Sequence, residues 1–160
     1  MSSRILTEII KSIIVESIDL YKISDFDKLG IDYEIKKSNR YGLEVNLKSK
    51  KSELTYQVVV SISYRYGNKL IPTINFGVYD TDTGSIDLST DTKSPSTPLI
   101  LACVFGIFRE WLDQNNTLVF HYKASDNVRQ TLYRLYLEKH FKDYDLLERI
   151  KNDFIWKKKD

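Results

Sequence analysis

The feature that most constrains the fold is the stretch from Pro98 to Phe141, in which an apolar helix, a short strand and an amphipathic helix follow one another. Residues 98–113 predict a helix that is apolar around most of its surface, which indicates that it is buried. Residues 117–123 predict a buried strand, and Ser125 or Asp126 is a suitable cap for the second helix. A unit of this kind needs a sheet to pack on.

Four runs before this unit alternate apolar and polar residues, as half-buried strands do. These runs cover residues 31–37, 41–48, 54–66 and 70–79. Gly67 and Asn68 form a hairpin turn pair between the last two runs. Pro72 cannot donate a hydrogen bond to a neighbouring strand, so we expect it at an edge or a bulge. The pattern predicts an antiparallel meander.

The segments on either side of this region have weaker patterns. Residues 3–22 repeat isoleucine and leucine at three- and four-residue steps, which predicts a helix. Residues 80–97 have the composition of a loop. Asp143 can cap a short helix that runs to about Lys151, and residues 152–159 predict a closing strand.

Together these patterns predict a single α+β domain over residues 1–160. Residues 1–30 supply the N-terminal helix, 31–80 the meander and 98–160 a helix–strand–helix–strand unit. The mostly antiparallel, twisted sheet has roughly six strands and packs against the N-terminal, central and C-terminal helices. With 42% hydrophobic and 29% charged residues, a chain of 160 residues can bury a sizeable core.

The composition also bounds the environment and the cofactors. Cys103 is the one cysteine, so no intrachain disulfide is possible and a reducing compartment is expected. The N-terminus lacks the pattern of a signal peptide, and no run of about 18 apolar residues predicts a membrane span, so we expect a cytoplasmic protein. Two histidines and one cysteine, far apart in sequence, predict no metal site. No cofactor is expected.

The best candidates for a binding site lie after the buried strand, at the start of the second helix of the central unit. They are Ser125, Asp126, Asn127, Arg129 and Arg134. Backbone N–H groups and guanidinium groups at a helix start favour a carboxylate or phosphate of a ligand or partner. The alternative is structural, because Ser-Asp-Asn is good capping chemistry and an arginine there can form an ion pair. His121, in the strand, is interpreted as a hydrogen-bonded structural histidine rather than a base.

The order of meander, long helix, strand, helix and final strand resembles the GNAT acyltransferase fold. In that family an Asn follows the strand and a Leu-Tyr pair follows in the helix. Here Asp126 holds the Asn position, and Leu132 and Tyr133 hold the Leu-Tyr positions. The resemblance implies that Tyr133 is the candidate general acid and that acetyl-CoA is the candidate cofactor.

The chain departs from that family before the central helix, where the family binds acyl-CoA through an Arg/Gln-x-x-Gly-x-Gly/Ala loop. Residues 91–98 contain two prolines and no glycine. Proline removes backbone donors, and without glycine the backbone cannot approach a pyrophosphate closely. The resemblance is therefore to a degenerate form of the fold.

Residues 54–141 are also similar to small uncharacterised proteins common in Bacteroidetes genomes. The shared features are a helix ending in Phe108-Arg109-Glu110-Trp111 and a segment like Ser125-Asp126-Asn127-x-Arg129-Gln130. This resemblance implies a domain of unknown function and supports the fold without supplying an activity.

Three functions follow from these observations. The preferred hypothesis is a non-catalytic protein-interaction or regulatory module that binds a protein partner or a second copy of itself. The first alternative is a divergent acyl-CoA-dependent N-acyltransferase. The second is a nucleic-acid-binding accessory protein, since residues 31–70 carry eight Lys/Arg against four Asp/Glu. Nucleic acid is not favoured, because edge strands carry lysine to discourage pairing with other sheets.

Overall fold

A computed structural model describes residues 20–50, 54–80, 85–87, 97–124 and 127–160. The helix predicted over 3–22 lies outside these residues except for 20–22, which are not helical. Most of the loop predicted over 80–97 lies outside them as well. Within that loop, Ser85–Asp87 forms a short strand, so the prediction of a loop is wrong at these three residues, which pair with the end of the preceding strand.

Eight strands form the sheet in the part of the chain that the structure describes. Their bounds are β1 Ile31–Asn39, β2 Gly42–Ser49, β3 Thr55–Tyr66, β4 Lys69–Asp80, β5 Ser85–Asp87, β6 Val119–Lys123, β7 Tyr144–Ile150 and β8 Asp153–Lys158. The helices are α1 Phe26–Leu29, which follows a 3-10 turn at Ile23–Asp25, α2 Thr97–Gln114 and α3 Asn127–His140. The predicted α+β class is confirmed, with eight strands instead of roughly six.

The strand order is β1-β2-β3-β4-β6-β8-β7, and β5 pairs with β4 beside this path. All neighbouring strands are antiparallel except β4 and β6. That parallel pairing consists of Thr73 opposite His121 and Ile74 opposite Tyr122. A parallel pair requires a crossover, and here α2 lies in the connection.

The meander follows its sequence pattern closely. Gly67 takes a positive φ of 63° in the turn between β3 and β4, as the hairpin prediction requires. Pro72 lies opposite Ile62, next to a register shift between Ile62 and Tyr64. The expectation that Pro72 marks a bulge is confirmed.

The helix predicted from Asp143 to about Lys151 is wrong, because Tyr144–Ile150 is strand β7. This segment pairs with β8 from Tyr144 opposite Lys158 to Ile150 opposite Asp153. Its composition allows a helix, but sheet pairing satisfies its backbone and buries Tyr144. Asp143 forms an ion pair with Arg109.

The core lies between one face of the sheet and α2. Residues 100–108 of α2 are all buried. Gly106 among them lies where another segment of the chain passes close to the helix. A Cβ on Gly106 would lie 1.9 Å from the carbonyl oxygen of Tyr21. The chain at Tyr21 therefore crosses directly over the helix. Among the described residues, no helix is long and apolar enough to cross a membrane.

Candidate functional site

The predicted site at the start of α3 is only partly described. Ser125 and Asp126 lie outside the described residues, while Asn127 begins α3 and is exposed. The backbone carbonyl of Asn127 accepts a hydrogen bond from the Thr131 hydroxyl at 2.8 Å. Arg129 is half-buried two residues further on.

Arg134 lies on a different side of α3 from Arg129, because five residues correspond to a rotation that leaves them about 140° apart. Its guanidinium Nε lies 2.7 Å from the Glu138 carboxylate, in an exposed ion pair one turn along the helix. The structure thus places Asn127 and Arg129 near the helix start and Arg134 with Glu138. The ligand-binding role of the predicted set stays a prediction.

Sequence reasoning missed Arg149, which reaches the start of α3 from β7. Its Nη2 donates to the Gln130 side-chain oxygen at 3.2 Å, and Gln130 Nε2 donates to the Ala124 carbonyl at 2.9 Å. The Arg149 guanidinium also lies over the Phe154 ring, 4.8 Å from its centroid. No sequence signal pointed to Arg149, because its segment was predicted as a helix.

Tyr133, the candidate general acid, is a core residue with 6% exposure. Its ring contacts Phe76 of β4, Phe105 of α2 and Tyr122 of β6, with centroid distances of 5.2, 5.8 and 5.3 Å. The parallel pairing of β4 and β6 stops after Ile74 and Tyr122. Aromatic side chains from both strands and both long helices therefore meet where these strands part.

His121 lies on the opposite face of the sheet from that aromatic cluster, since its neighbours Phe120 and Tyr122 face the helices. Its Nδ1 lies 2.7 Å from the Thr73 hydroxyl, and its Nε2 lies 2.8 Å from a carboxylate oxygen of Asp153. A carboxylate can only accept, so Nε2 carries the proton and Nδ1 accepts from Thr73. The prediction that His121 is hydrogen-bonded is confirmed, and its structural role stays an interpretation.

Burial lowers the pKa of His121 below its ordinary value of 6.5, while the neighbouring Asp153 carboxylate acts in the opposite direction. The ring is 4% exposed and stacks on Tyr64, with 3.6 Å between centroids and 9° between planes. The neutral ring is therefore the favoured form at neutral pH. Thr73, His121 and Asp153 link β4, β6 and β8.

The Phe108-Arg109-Glu110-Trp111 motif near the end of α2 contributes side chains to the core and to an ion pair. Phe108 and Trp111 are buried, and the Trp111 indole donates to the Asn39 carbonyl at 2.9 Å. The Arg109 guanidinium makes two hydrogen bonds to Asp143, at 2.5 and 2.7 Å. Arg109 holds the pKa of the Asp143 carboxyl below its usual value. This arrangement fixes the end of α2 to the start of β7.

At the other end of the sheet, a groove of about 570 Å³ opens beside β1. It is lined by Asp32, Tyr33, Glu34, Lys36, Asn46, Leu47, Lys48 and Thr55. Two acidic and two basic side chains line it together with Tyr33 and Leu47. Such a groove suits a charged polypeptide surface better than a small apolar ligand.

The described residues offer little chemistry for a metal or a nucleophile. No group of three or more His, Cys, Asp or Glu side chains among them could hold a metal ion. Cys103 is buried, and burial raises the pKa of its thiol to about 12. A thiol of this kind stays protonated at neutral pH and is a poor nucleophile.

The fold and these contacts define a single-domain α+β protein built on one mostly antiparallel sheet. The chain belongs to a family of unknown function, DUF6934, whose family model matches residues 30–153. The match includes all of residues 54–141, which carried the resemblance to domains of unknown function. No curated protein matches the sequence.

Proposed function

We propose that this protein is a non-catalytic interaction module that pairs with a second copy of itself through strand β1. The observation that carries the proposal is the exposure of β1. It is the outermost strand of the described sheet, and eight of its nine residues are exposed. An outer strand presents unpaired backbone N–H and C=O groups that can pair with another strand.

The side chains of β1 favour a specific partner over unrelated sheets. Tyr33 and Ile35 are 40% and 46% exposed and lie on the same face. On the other side, Asp32 and Glu34 come first and Lys36 and Lys37 follow. The strand is therefore acidic in its first half and basic in its second half.

This order is self-complementary in an antiparallel pair. A two-fold axis brings the acidic half of one copy beside the basic half of the other, and opposite charges facing each other stabilise strand pairs. A parallel arrangement would align like charges. The register shift between Ile35 and Lys37 and the two lysines discourage pairing with unrelated edges.

Two features support a role without catalysis. Tyr133 is packed among aromatic rings, at the place where an acyl carrier would have to enter between β4 and β6. His121 is hydrogen-bonded to Thr73 and to Asp153, and Arg109 is hydrogen-bonded to Asp143. These polar groups thus already have partners within the fold.

The proposal is tested by sedimentation velocity over a range of protein concentrations. We expect the mass to rise from 18.8 kDa towards twice that value. Ile35→Lys should abolish the rise, because it places a charge at the centre of the paired strands. Ile150→Lys is the matched control, since Ile150 is 42% exposed on β7, the outer strand at the other end of the sheet. A monomeric wild type, or equal loss in both variants, would contradict the proposal.

A divergent acyltransferase is the second candidate, and the parting of β4 and β6 after two residue pairs favours it. In this case acetyl-CoA would bind next to Tyr133. Calorimetric titration with acetyl-CoA and with CoA tests the idea directly. Micromolar binding, together with activity that Tyr133→Phe removes without loss of binding, would favour the enzyme over the interaction module. Absence of heat at saturating ligand would exclude it.

A further inference from the structure

The hairpin formed by β3 and β4 extends beyond the part of the sheet in which β4 pairs with β6. β4 pairs with β6 only at Thr73 and Ile74, but β3 and β4 remain paired as far as Tyr66 and Lys69. The register shift next to Tyr64 increases the twist of the hairpin at this point. We call residues 64–71 the clasp.

The clasp lies across the face of the sheet. Tyr64 stacks on His121 of β6, and the Tyr66 hydroxyl donates to the carboxylate of Glu148 in β7. In the sheet, β4 separates β3 from β6, and β4, β6 and β8 separate β3 from β7. These two contacts can therefore be made only over the surface of the intervening strands.

Beneath the clasp is a row of side chains that includes an entirely buried isoleucine. Ile155 of β8 is paired with His121 on one side and with Glu148 on the other. Tyr64 and Tyr66 contact the two ends of this row. Ile155 between them has 0% exposure, on the face opposite to the aromatic cluster around Tyr133. The clasp thus covers an apolar side chain as well as the imidazole.

We propose that the clasp is a pH-sensitive cover, which is closed over His121 and Ile155 at neutral pH and opens when His121 takes up a proton. The closed state holds a neutral ring between Thr73 and Asp153, under the Tyr64 ring. Protonation places a charge in this buried site, and opening gives the charged ring access to water.

The polar and titratable groups around His121 come from four strands. Asp153 of β8 stabilises a charged ring, and Lys123 of β6 opposes it. Tyr64 of β3 lies on the ring, and Thr73 of β4 contributes an uncharged hydroxyl. Glu148 of β7 accepts a hydrogen bond from Tyr66, and among the described residues no contact joins it to the His121 ring. Burial is the largest effect on the His121 pKa and lowers it.

Linkage then fixes the direction of the change. The state in which His121 has the higher pKa gains population as the pH falls, and this is the open, hydrated state. Each unit of difference between the two pKa values shifts the equilibrium about tenfold towards the open state at a pH below both. The clasp lies beyond the end of the pairing between β2 and β3, which stops at Gly42 opposite Ser61, so this inference does not depend on self-association through β1.

Hydrogen exchange of the backbone amides of residues 64–71 measures the opening. We compare protection at about pH 7.5 and about pH 5, corrected for the intrinsic pH dependence of exchange, in the wild type and in His121→Gln. Protection should fall about tenfold or more in the wild type and should stay nearly constant in His121→Gln. His140→Gln, which changes the other histidine of the chain, should behave as the wild type.

His121→Gln keeps Glu148 and its hydrogen bond with Tyr66, so this variant separates the effect of His121 from that of the other end of the clasp. An equal loss of protection in His121→Gln and in the wild type would assign the opening to another group and overturn the proposal. A wild type whose protection does not change with pH would overturn it as well.

An NMR titration of the two imidazole rings gives a second test that does not require a stable His121 variant. The His121 midpoint should lie below 6.5 in the wild type and should rise in Tyr64→Leu, which removes the stacked ring but keeps an apolar side chain. The His140 midpoint is the internal reference. A His121 midpoint at or above 6.5 in the wild type, or one that Tyr64→Leu does not change, would contradict the proposal that the clasp opens when His121 is protonated.

Discussion

At the scale of single residues, the ion pair of Arg109 and Asp143 joins two segments that are far apart in the sequence. It is bidentate, half-buried, and also contacts the aromatic rings of Phe141 and Tyr144 through the guanidinium. Arg109 bonds Asp113 too, at 3.0 Å, but Asp113 is one turn along the same helix and more exposed. Substitution of each carboxylate in turn therefore compares the contribution of an ion pair between distant segments with that of an ion pair within one helix.

We expect Asp143→Asn to lower the free energy of unfolding at neutral pH by about 1 kcal/mol, a value reduced for solvent screening because the pair is partly exposed. Asp113→Asn should cost only a few tenths of a kcal/mol, as exposed pairs within a helix do. Denaturant unfolding of both variants measures the difference. Equal effects would show that Asp143 has no special role in joining α2 to β7.

The same pair gives the stability of the protein a pH dependence of known sign. Arg109 lowers the pKa of Asp143 in the folded state. The stabilisation is therefore complete above the pKa of Asp143 in the unfolded chain and is lost as the pH falls through its lower folded value. Asp143→Asn should consequently lose less stability than the wild type on acidification below about pH 4.

At the scale of helices and strands, the crossing of Tyr21 over α2 requires a glycine. The Tyr21 amide donates to the Ala102 carbonyl at 3.4 Å, which holds the crossing segment against the helix. A side chain at Gly106 would collide with backbone and not with a flexible side chain. The segment at Tyr21 cannot move away from such a side chain without losing its hydrogen bond to the Ala102 carbonyl.

Gly106→Ala should therefore destabilise the protein by about 1–3 kcal/mol, although alanine favours helices more than glycine does. Thermal unfolding of the variant measures this loss. Gly67→Asn is the control, because Gly67 has open space around it and asparagine tolerates a positive φ. A Gly106→Ala protein as stable as the wild type would mean that the crossing segment is not held against α2.

The success of the sequence in predicting these elements depended on how local their signals are. Alternation along 54–66 and the Gly67-Asn68 turn predicted β3 and β4 because both signals lie within the hairpin. The prediction of a helix over residues 144–150 failed because pairing with β8 specifies their strand, and a local sequence pattern carries no information about that pairing. The contacts of Tyr64 with His121 and of Arg109 with Asp143 were equally invisible, since each joins segments far apart in sequence.

At the scale of the whole molecule, the proposed interface and the strand that the clasp reaches lie at opposite ends of the described sheet. Among the described strands, β1 forms one outer edge, and β7, which the clasp reaches through Glu148, forms the other. Both outer strands have a register shift, between Ile35 and Lys37 in β1 and between Leu146 and Glu148 in β7. Irregular edges of this kind limit unrestricted growth of a sheet, so a defined dimer is expected and not an open-ended assembly.

The charge order of β1 predicts the outcome of a reversal and its repair. Lys36→Glu should weaken self-association, because it places acidic side chains in both halves of the strand. Adding Glu34→Lys should restore association, since residues 34 and 36 are again opposite in charge. Sedimentation velocity of both variants measures this. If the double variant stays monomeric while the wild type dimerises, the acidic and basic halves of β1 do not face each other.

The short parallel junction between β4 and β6 also has a consequence for how the chain folds. Thr73 and His121 meet there although 48 positions separate them in sequence, whereas the hairpins β3–β4 and β7–β8 join strands that follow one another in the chain. Local hairpins form quickly, and a long loop must close before distant strands can pair. We expect the two antiparallel halves of the sheet to form first and to join last, and the same two residue pairs to separate first when the ends of the sheet are pulled apart.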